Sequence, residues 1–460
     1  MKKFLFIAIF ILCQSAIAEV IPNSLFQNNM VLQRRQPIAV FGKATSEKFV
    51  EISFKDKTYT TKVKDGYWII FLDKSQAGGP YTLTIKGENE VVLSNILVGE
   101  VWLCSGQSNM EMPVQGNKGQ PINGSNLAIL NSENSQIRLF KVGKKMASEP
   151  LNSCEGEWTL AKPETVKGFS ATAYFFGKML QETLNIPIGL INSSWGGTPA
   201  EAWTPKEIID SEFKDFKGWN TDDSKPQKNP SVLYNGMIHP LKPYTIKGVI
   251  WYQGEANKNY YQNYTYLFSS MIKSWRTNWN QGDFPFYFVQ IAPLGWGGDN
   301  QAFLREAQLK TMHAVPNTGM AVTLDIGEKG NIHPAEKQKV GERLALWALA
   351  KDYGYKNIQY SGPVYKSMSV AENKVAIEFD YAPNGLATFG KELHGFKVAG
   401  ADKFFYEADA ILLKGKLIVW SDKVEHPIAV RYGWQDWVDG SLFNTAGLPA
   451  SSFRTDNWDN

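Results

Sequence analysis

Histidine and cysteine are scarce in this chain, with five and three among 460 residues. No group of His, Cys, Asp and Glu has the spacing of metal ligands, so the sequence implies no metal. It also lacks a Gly-rich loop of the P-loop or dinucleotide-binding kind, and no cofactor is expected. The apolar run at residues 4–12 is too short to span a bilayer, which takes about 20 residues, and no later segment is apolar enough. That run follows Met1-Lys2-Lys3 and leads to Ala16-Ile-Ala18. This pattern reads as a signal peptide over residues 1–18 and implies a periplasmic or extracellular protein. An excess of one charge is missing too, at 48 basic and 45 acidic side chains. Without Lys2 and Lys3 the formal charge falls from +3 to +1, which argues against a nucleic-acid partner. Beyond the leader only Cys104 and Cys154 remain, and an oxidising compartment would let them pair. Cys104, in an apolar segment, is expected to be buried and inert as a nucleophile.

Aromatic residues, by contrast, are plentiful, including 15 Trp. They suit stacking on sugar rings and equally suit ordinary core packing. Residues 19–95 show short alternating runs separated by Asp-Gly and Gly-Gly-Pro turns, the pattern of a β-sandwich region. Residues 96–353 alternate strand and helix signals. Strands are predicted near 97–104, 187–192, 246–252, 284–291 and 319–324, and helices near 171–184, 258–278, 301–314 and 334–351. That alternation predicts an α/β domain with a five-stranded parallel sheet covered by helices on both faces. Residues 354–460 return to β patterns and are expected to pack beside the N-terminal β region; whether the two form one composite module is left open by the sequence.

Four polar blocks each follow a predicted strand, where open α/β sheets place their ligands. Ser108 stands just past the first strand, in Gly106-Gln-Ser-Asn-Met110. It is either a helix cap or a nucleophile, with Asn109 beside it to shape the turn. Gly196 and Gly197, in Trp195-Gly-Gly-Thr198, form either a plain turn or donors of backbone N–H groups to an oxyanion. Gln253 and Glu255, in Tyr252-Gln-Gly-Glu255, supply an amide and a carboxylate. The fourth block, Asp325 to Pro334, contains His333 at a loop-to-helix junction. Among the other histidines, His394 and His426 fall in the β tail, His313 lies in a helical pattern and His239 precedes the third parallel strand.

These blocks, in this order, resemble the sialate O-acetylesterase family of the SGNH-hydrolase superfamily, and the related acetylxylan esterases. The likeness extends to Phe169-Ser-Ala-Thr-Ala-Tyr-Phe-Phe-Gly177, Leu233-Tyr-Asn-Gly-Met-Ile238 and the tail motifs Gly447-Leu-Pro-Ala450 and Phe453-Arg-Thr-Asp456. It implies a flavodoxin-like catalytic domain and a serine esterase acting on an acetylated glycan, sialic acid first and xylan second. It further implies Ser108 as nucleophile and His333 as base. The oxyanion donors would be the N–H groups of Ser108 and of Gly196 or Gly197, with the Gln253 amide. Many SGNH hydrolases carry an Asp three residues before the histidine, but here Gly330 and Asn331 occupy that stretch. The orienting carboxylate then falls to Glu255, as in some related acetylesterases, with Asp325 as the alternative. A reading from another class, a non-catalytic carbohydrate-binding protein, sits poorly with an intact Ser108, Glu255 and His333.

Overall fold

A computed structural model describes residues 19–45, 48–214, 224–295 and 297–458. The expected signal peptide lies outside the described residues. At the centre is a parallel sheet. Its spatial order is Asn134–Lys141, Ile188–Ser194, Glu90–Gly106, Gly248–Tyr252, Phe286–Val289 and Thr318–Ala321. Trp158–Ala161 adds an antiparallel edge. The inner strands Ile188–Ser194, Gly248–Tyr252 and Phe286–Val289 are buried at every residue. A strand covered on both faces has no solvent side, so it reads as a continuous apolar run.

Helices Ala171–Leu184 and Lys337–Asp352 pack together, as do Tyr261–Trp279 and Asn300–Ala314. The pleat sorts the aromatic core between them. Trp102 meets Phe176 edge-on at 5.0 Å, while Trp251 meets Trp275 at 5.8 Å. In register Trp251 faces Ser105, so it points away from the side that holds Trp102.

The sheet has six parallel strands where the sequence predicts five. The addition is Asn134–Lys141, whose polar start and buried Arg138 interrupt the apolar signal. Arg138 is nearly inaccessible, and its guanidinium donates to the carbonyls of Ser135 and Asn29 at 2.8 and 3.2 Å.

The predicted domain boundary near residue 95 falls inside one unbroken strand, Glu90–Gly106. Its first half pairs with Gly78–Lys86 of the N-terminal β region. Its second half lies between Ile188–Ser194 and Gly248–Tyr252. The C-terminal region is a seven-stranded antiparallel sheet that starts at Val364–Ala371. It is fastened to the helix Asn300–Ala314. Buried Arg305 donates to the carbonyls of Gly433 and Gln435 at 2.9 and 2.7 Å, and Arg454 pairs with Glu306 at 2.9 Å. The N-terminal region holds the α/β domain elsewhere, through the Tyr244 hydroxyl on the Val31 carbonyl at 2.7 Å. The two β regions form separate sheets, each anchored to the α/β domain on its own. Cys104 and Cys154 are free thiols, not a disulfide, and burial pushes the Cys104 thiol well above its usual pKa. Among the described residues no helix is long and apolar enough to cross a membrane.

Candidate active site

The strand order reverses at Glu90–Gly106: the chain next adds strands on one side of it and later on the other. A crevice at the carboxyl end of such a strand is where open α/β sheets bind ligands. Gly106 makes the exit possible. Its φ is +137°, and a Cβ there would sit 2.1 Å from the Tyr252 carbonyl oxygen. The Gln107 N–H bonds that same carbonyl at 2.9 Å. Ser108 then opens the short helix Ser108–Glu111, half-buried, with its first-turn N–H left without an intrahelical partner. Ser108 and His333 line one cleft of about 350 Å³, together with Glu111, Gln115, Asn117 and Lys141.

Asn109 ties this turn to the other blocks. Its amide donates to Glu255 Oε1 at 2.6 Å and to the Ile332 carbonyl, next to His333, at 3.0 Å. Its carbonyl accepts from Lys337 Nζ at 2.8 Å, and Lys337 also donates to the Pro334 carbonyl at 2.6 Å. Lys337 is buried, and burial pushes its pKa down to about 7 against the opposing pull of Glu255 and Glu328. Burial pushes the Glu255 carboxyl up. It also holds the His333 imidazole below its usual value, with the Lys337 charge acting in the same direction.

The His333 loop is braced from its own side. The His333 N–H donates to Asn331 Oδ1 at 3.0 Å, and the Asn331 amide donates back to the His333 carbonyl at 2.9 Å. Glu328 accepts from the Asn331 amide at 3.0 Å and from the Ala335 N–H at 2.6 Å. His333 Nδ1 is buried without a partner, and so is Glu255 Oε2. The direct Glu255–His333 hydrogen bond expected from the sequence is therefore not formed here. Buried unpaired polar atoms are rare enough to require a reason.

Three other expectations are corrected. Asp325 does not serve His333: Arg343 holds both its carboxylate oxygens at 2.7 Å. Gln253 does not face the cleft. It is fully buried, its amide donates to Asn257 Oδ1 at 2.6 Å, and its carbonyl accepts from the Tyr264 hydroxyl at 2.9 Å. That amide braces two loops and is not free for an oxyanion. Gly196 is beside Ser108, since a Cβ on it would lie 3.3 Å from Ser108 Cβ. Its N–H, however, donates to Glu111 Oε2 at 2.6 Å. Gly197, exposed at φ +72°, is the glycine of the pair that remains able to donate. The rival histidine His239 bonds the Leu151 carbonyl at 2.8 Å.

Comparison with known proteins decides the relationship. The family model described as carbohydrate esterase, sialic acid-specific acetylesterase matches residues 98–350. The human sialate O-acetylesterase is 34% identical over 401 residues, covering 78% of this chain and 76% of that protein. The chain belongs to the sialate O-acetylesterase family. The rat sialate O-acetylesterase is 33% identical over 429 residues, covering 78% of each protein. The crystal structure of a carbohydrate acetylesterase from Xanthomonas citri superposes with a TM-score of 0.88 at 38% identity, covering 96% of this chain and 100% of that one. As a member of the sialate O-acetylesterase family the chain is a carboxylic ester hydrolase, and its chemistry is sugar deacetylation.

In this sialate O-acetylesterase family member, sequence reasoning missed Lys337, Glu111 and the Asn331–Glu328 brace. Lys337 opens the helix Lys337–Asp352, and His333 stands in the irregular segment before it, so no helical spacing linked the two in the sequence. Glu111 stands three residues after Ser108 in one short helix, the spacing that places two side chains on one face.

Proposed function

We propose that the chain is an exported serine esterase that removes O-acetyl groups from sialic acid, with Ser108 as nucleophile and His333 as general base. The observation that carries this reading is that Ser108 and His333, from opposite ends of the α/β domain, line one cleft. His333 takes the proton of Ser108 as its Oγ adds to the acetyl carbonyl carbon. The oxyanion is met by the N–H groups of Ser108 and Gly197. Collapse expels the sugar alkoxide, which takes the proton from His333, and leaves an acetyl-enzyme. Water, deprotonated by His333, then adds to the acetyl carbon and releases acetate and free Ser108. Each time His333 becomes a cation it needs a counter-charge. Glu255 Oε2 and His333 Nδ1, both buried and unpaired, are the two atoms proposed to meet at that moment. Catalytic bonds that are open in a free enzyme commonly tighten in the complex.

The sialic acid reading draws support from Lys141. Lys141 lines the cleft, and among the described residues its ammonium bonds only the Gly168 carbonyl, at 3.4 Å. A sugar carboxylate would complete it. Residues 1–18 are proposed to direct export to the periplasm or beyond. Acetate release from O-acetylated sialic acid and from acetylated xylan, measured side by side, tests the substrate. Lys141→Gln should raise KM for the sialic acid ester about tenfold or more and leave xylan turnover unchanged. Turnover of xylan alone moves the reading to a neutral glycan. No acetate release from any acetylated sugar removes it.

A further inference from the structure

A second groove, of about 610 Å³, lies along the N-terminal β region, far from Ser108 in sequence and sharing no lining residue with the catalytic cleft. One wall is a sheet face that no other layer of the described residues covers. In Tyr67–Leu72 the side chains alternate, with Trp68, Ile70 and Leu72 buried. Tyr67, Ile69 and Phe71 point outward, exposed at 46%, 40% and 59%. Ile21 on the same sheet is exposed at 44%. Clustered exposed apolar side chains of this kind mark interaction surfaces.

The charge of the groove is one-sided. Lys43, Lys62, Lys64 and Lys242 line it, and no carboxylate does. Among the described residues none of the four is in an ion pair. Asp65 stands in the adjoining turn, and Glu207 acts on Lys242 from outside the groove. Four unpaired lysines in one groove are notable in a chain with a formal charge of only +3. The opposite wall is polar. The Asn152 amide donates to the Tyr67 hydroxyl at 3.1 Å, and the Asn23 amide donates to the Asn152 carbonyl at 2.8 Å. Those bonds hold the Tyr67 ring in place and leave the Asn152 side-chain carbonyl as an acceptor.

We propose that this groove is an accessory binding site for a carboxylated oligosaccharide, distinct from the site of deacetylation. The parts match that ligand. The Tyr67 ring, with Lys43 Nζ 5.5 Å from its centre, and Ile69 offer sugar rings an apolar surface beside a positive charge. The lysines meet carboxylates through charge-assisted hydrogen bonds. The side-chain carbonyl of Asn152 accepts from a hydroxyl. A recessed groove walled by amides suits a chain with hydroxyls better than a lipid surface, which docks on protruding apolar side chains. The proposal stands apart from which sugar the catalytic cleft deacetylates.

The test is calorimetric titration of the full chain with a galacturonic acid oligosaccharide, with xylohexaose and with phosphatidylserine vesicles. The wild type is expected to bind the galacturonate probe, more weakly in high salt, and to ignore the other two. Lys62→Gln/Lys64→Gln and Tyr67→Ala should each weaken that binding about tenfold or more. Both should hydrolyse a chromogenic acetate ester as the wild type does, which also shows that they fold. Lys141→Gln, in the catalytic cleft, should bind the probe normally. The proposal is overturned if the wild type does not bind the probe, or if the groove variants bind it undiminished. It is overturned equally if Lys141→Gln abolishes binding, or if the vesicles bind in place of the sugar.

Discussion

At the scale of single residues, the site depends on buried charges that balance one another. Asn109 joins Glu255, Lys337 and the carbonyl preceding His333, so a change at any of them reaches His333. Burial holds the His333 pKa down, and the positive charge at Lys337 lowers it further. A general base works only when neutral, so activity falls as pH drops through that pKa. Lys337→Met removes the neighbouring charge, and the acid limb of kcat/KM should move to higher pH; a pH profile from about pH 4.5 to 8 checks this. The two carboxylates proposed for His333 should separate cleanly. Glu255→Gln should lower kcat about a hundredfold or more. Asp325→Asn breaks a buried pair with Arg343 and should cost about 3 kcal/mol of stability, with kcat of the folded protein within about twofold. Steady-state kinetics and urea unfolding measure both. Much of this site is legible from sequence, because Ser108 and His333 follow strands and rivals are few. Gln253 misled for a physical reason: a polar side chain after a strand announces a loop, and nothing local says whether its amide points into a cleft or braces a neighbour. Lys337 was missed because a lysine opening a helix ordinarily faces water.

At the scale of elements, the strands carry the clearest signal and the turns set the chemistry. Five parallel strands are readable as apolar runs because helices cover both faces. The sixth, Asn134–Lys141, was missed because its buried charge, Arg138, is satisfied by backbone carbonyls that only the fold brings near. The strand-to-helix turn before Ser108 needs glycine. Gly106→Ala would put a Cβ against the Tyr252 carbonyl and hold alanine at φ +137°. The expected outcome is a loss of about 3 kcal/mol and of most activity, measured by urea unfolding and ester turnover. A variant as stable as the wild type would show that the turn can relax, and that the glycine is not what delivers Ser108.

At the scale of the whole molecule, the α/β domain does not end where composition changes. Strand Glu90–Gly106 belongs to two regions at once. Its neighbour Arg138 donates to Asn29 and, at 3.3 Å, to Asn95. A fragment of residues 96–353 lacks those acceptors and the Val31 carbonyl that receives Tyr244. It should be insoluble or partly folded, whereas the chain from residue 19 should run as a folded protein in gel filtration. Sequence marks a change of texture near residue 95 but cannot show that a strand runs through it. All of these regions serve one end, which is to hold Ser108 and His333 across a single cleft. The most direct measurement of that claim is kcat/KM of Ser108→Ala on an acetate ester, with circular dichroism to verify the fold. The account predicts a native spectrum and a fall of several orders of magnitude, about the effect of losing a triad serine. A natively folded variant that keeps more than about a tenth of wild-type activity would contradict it.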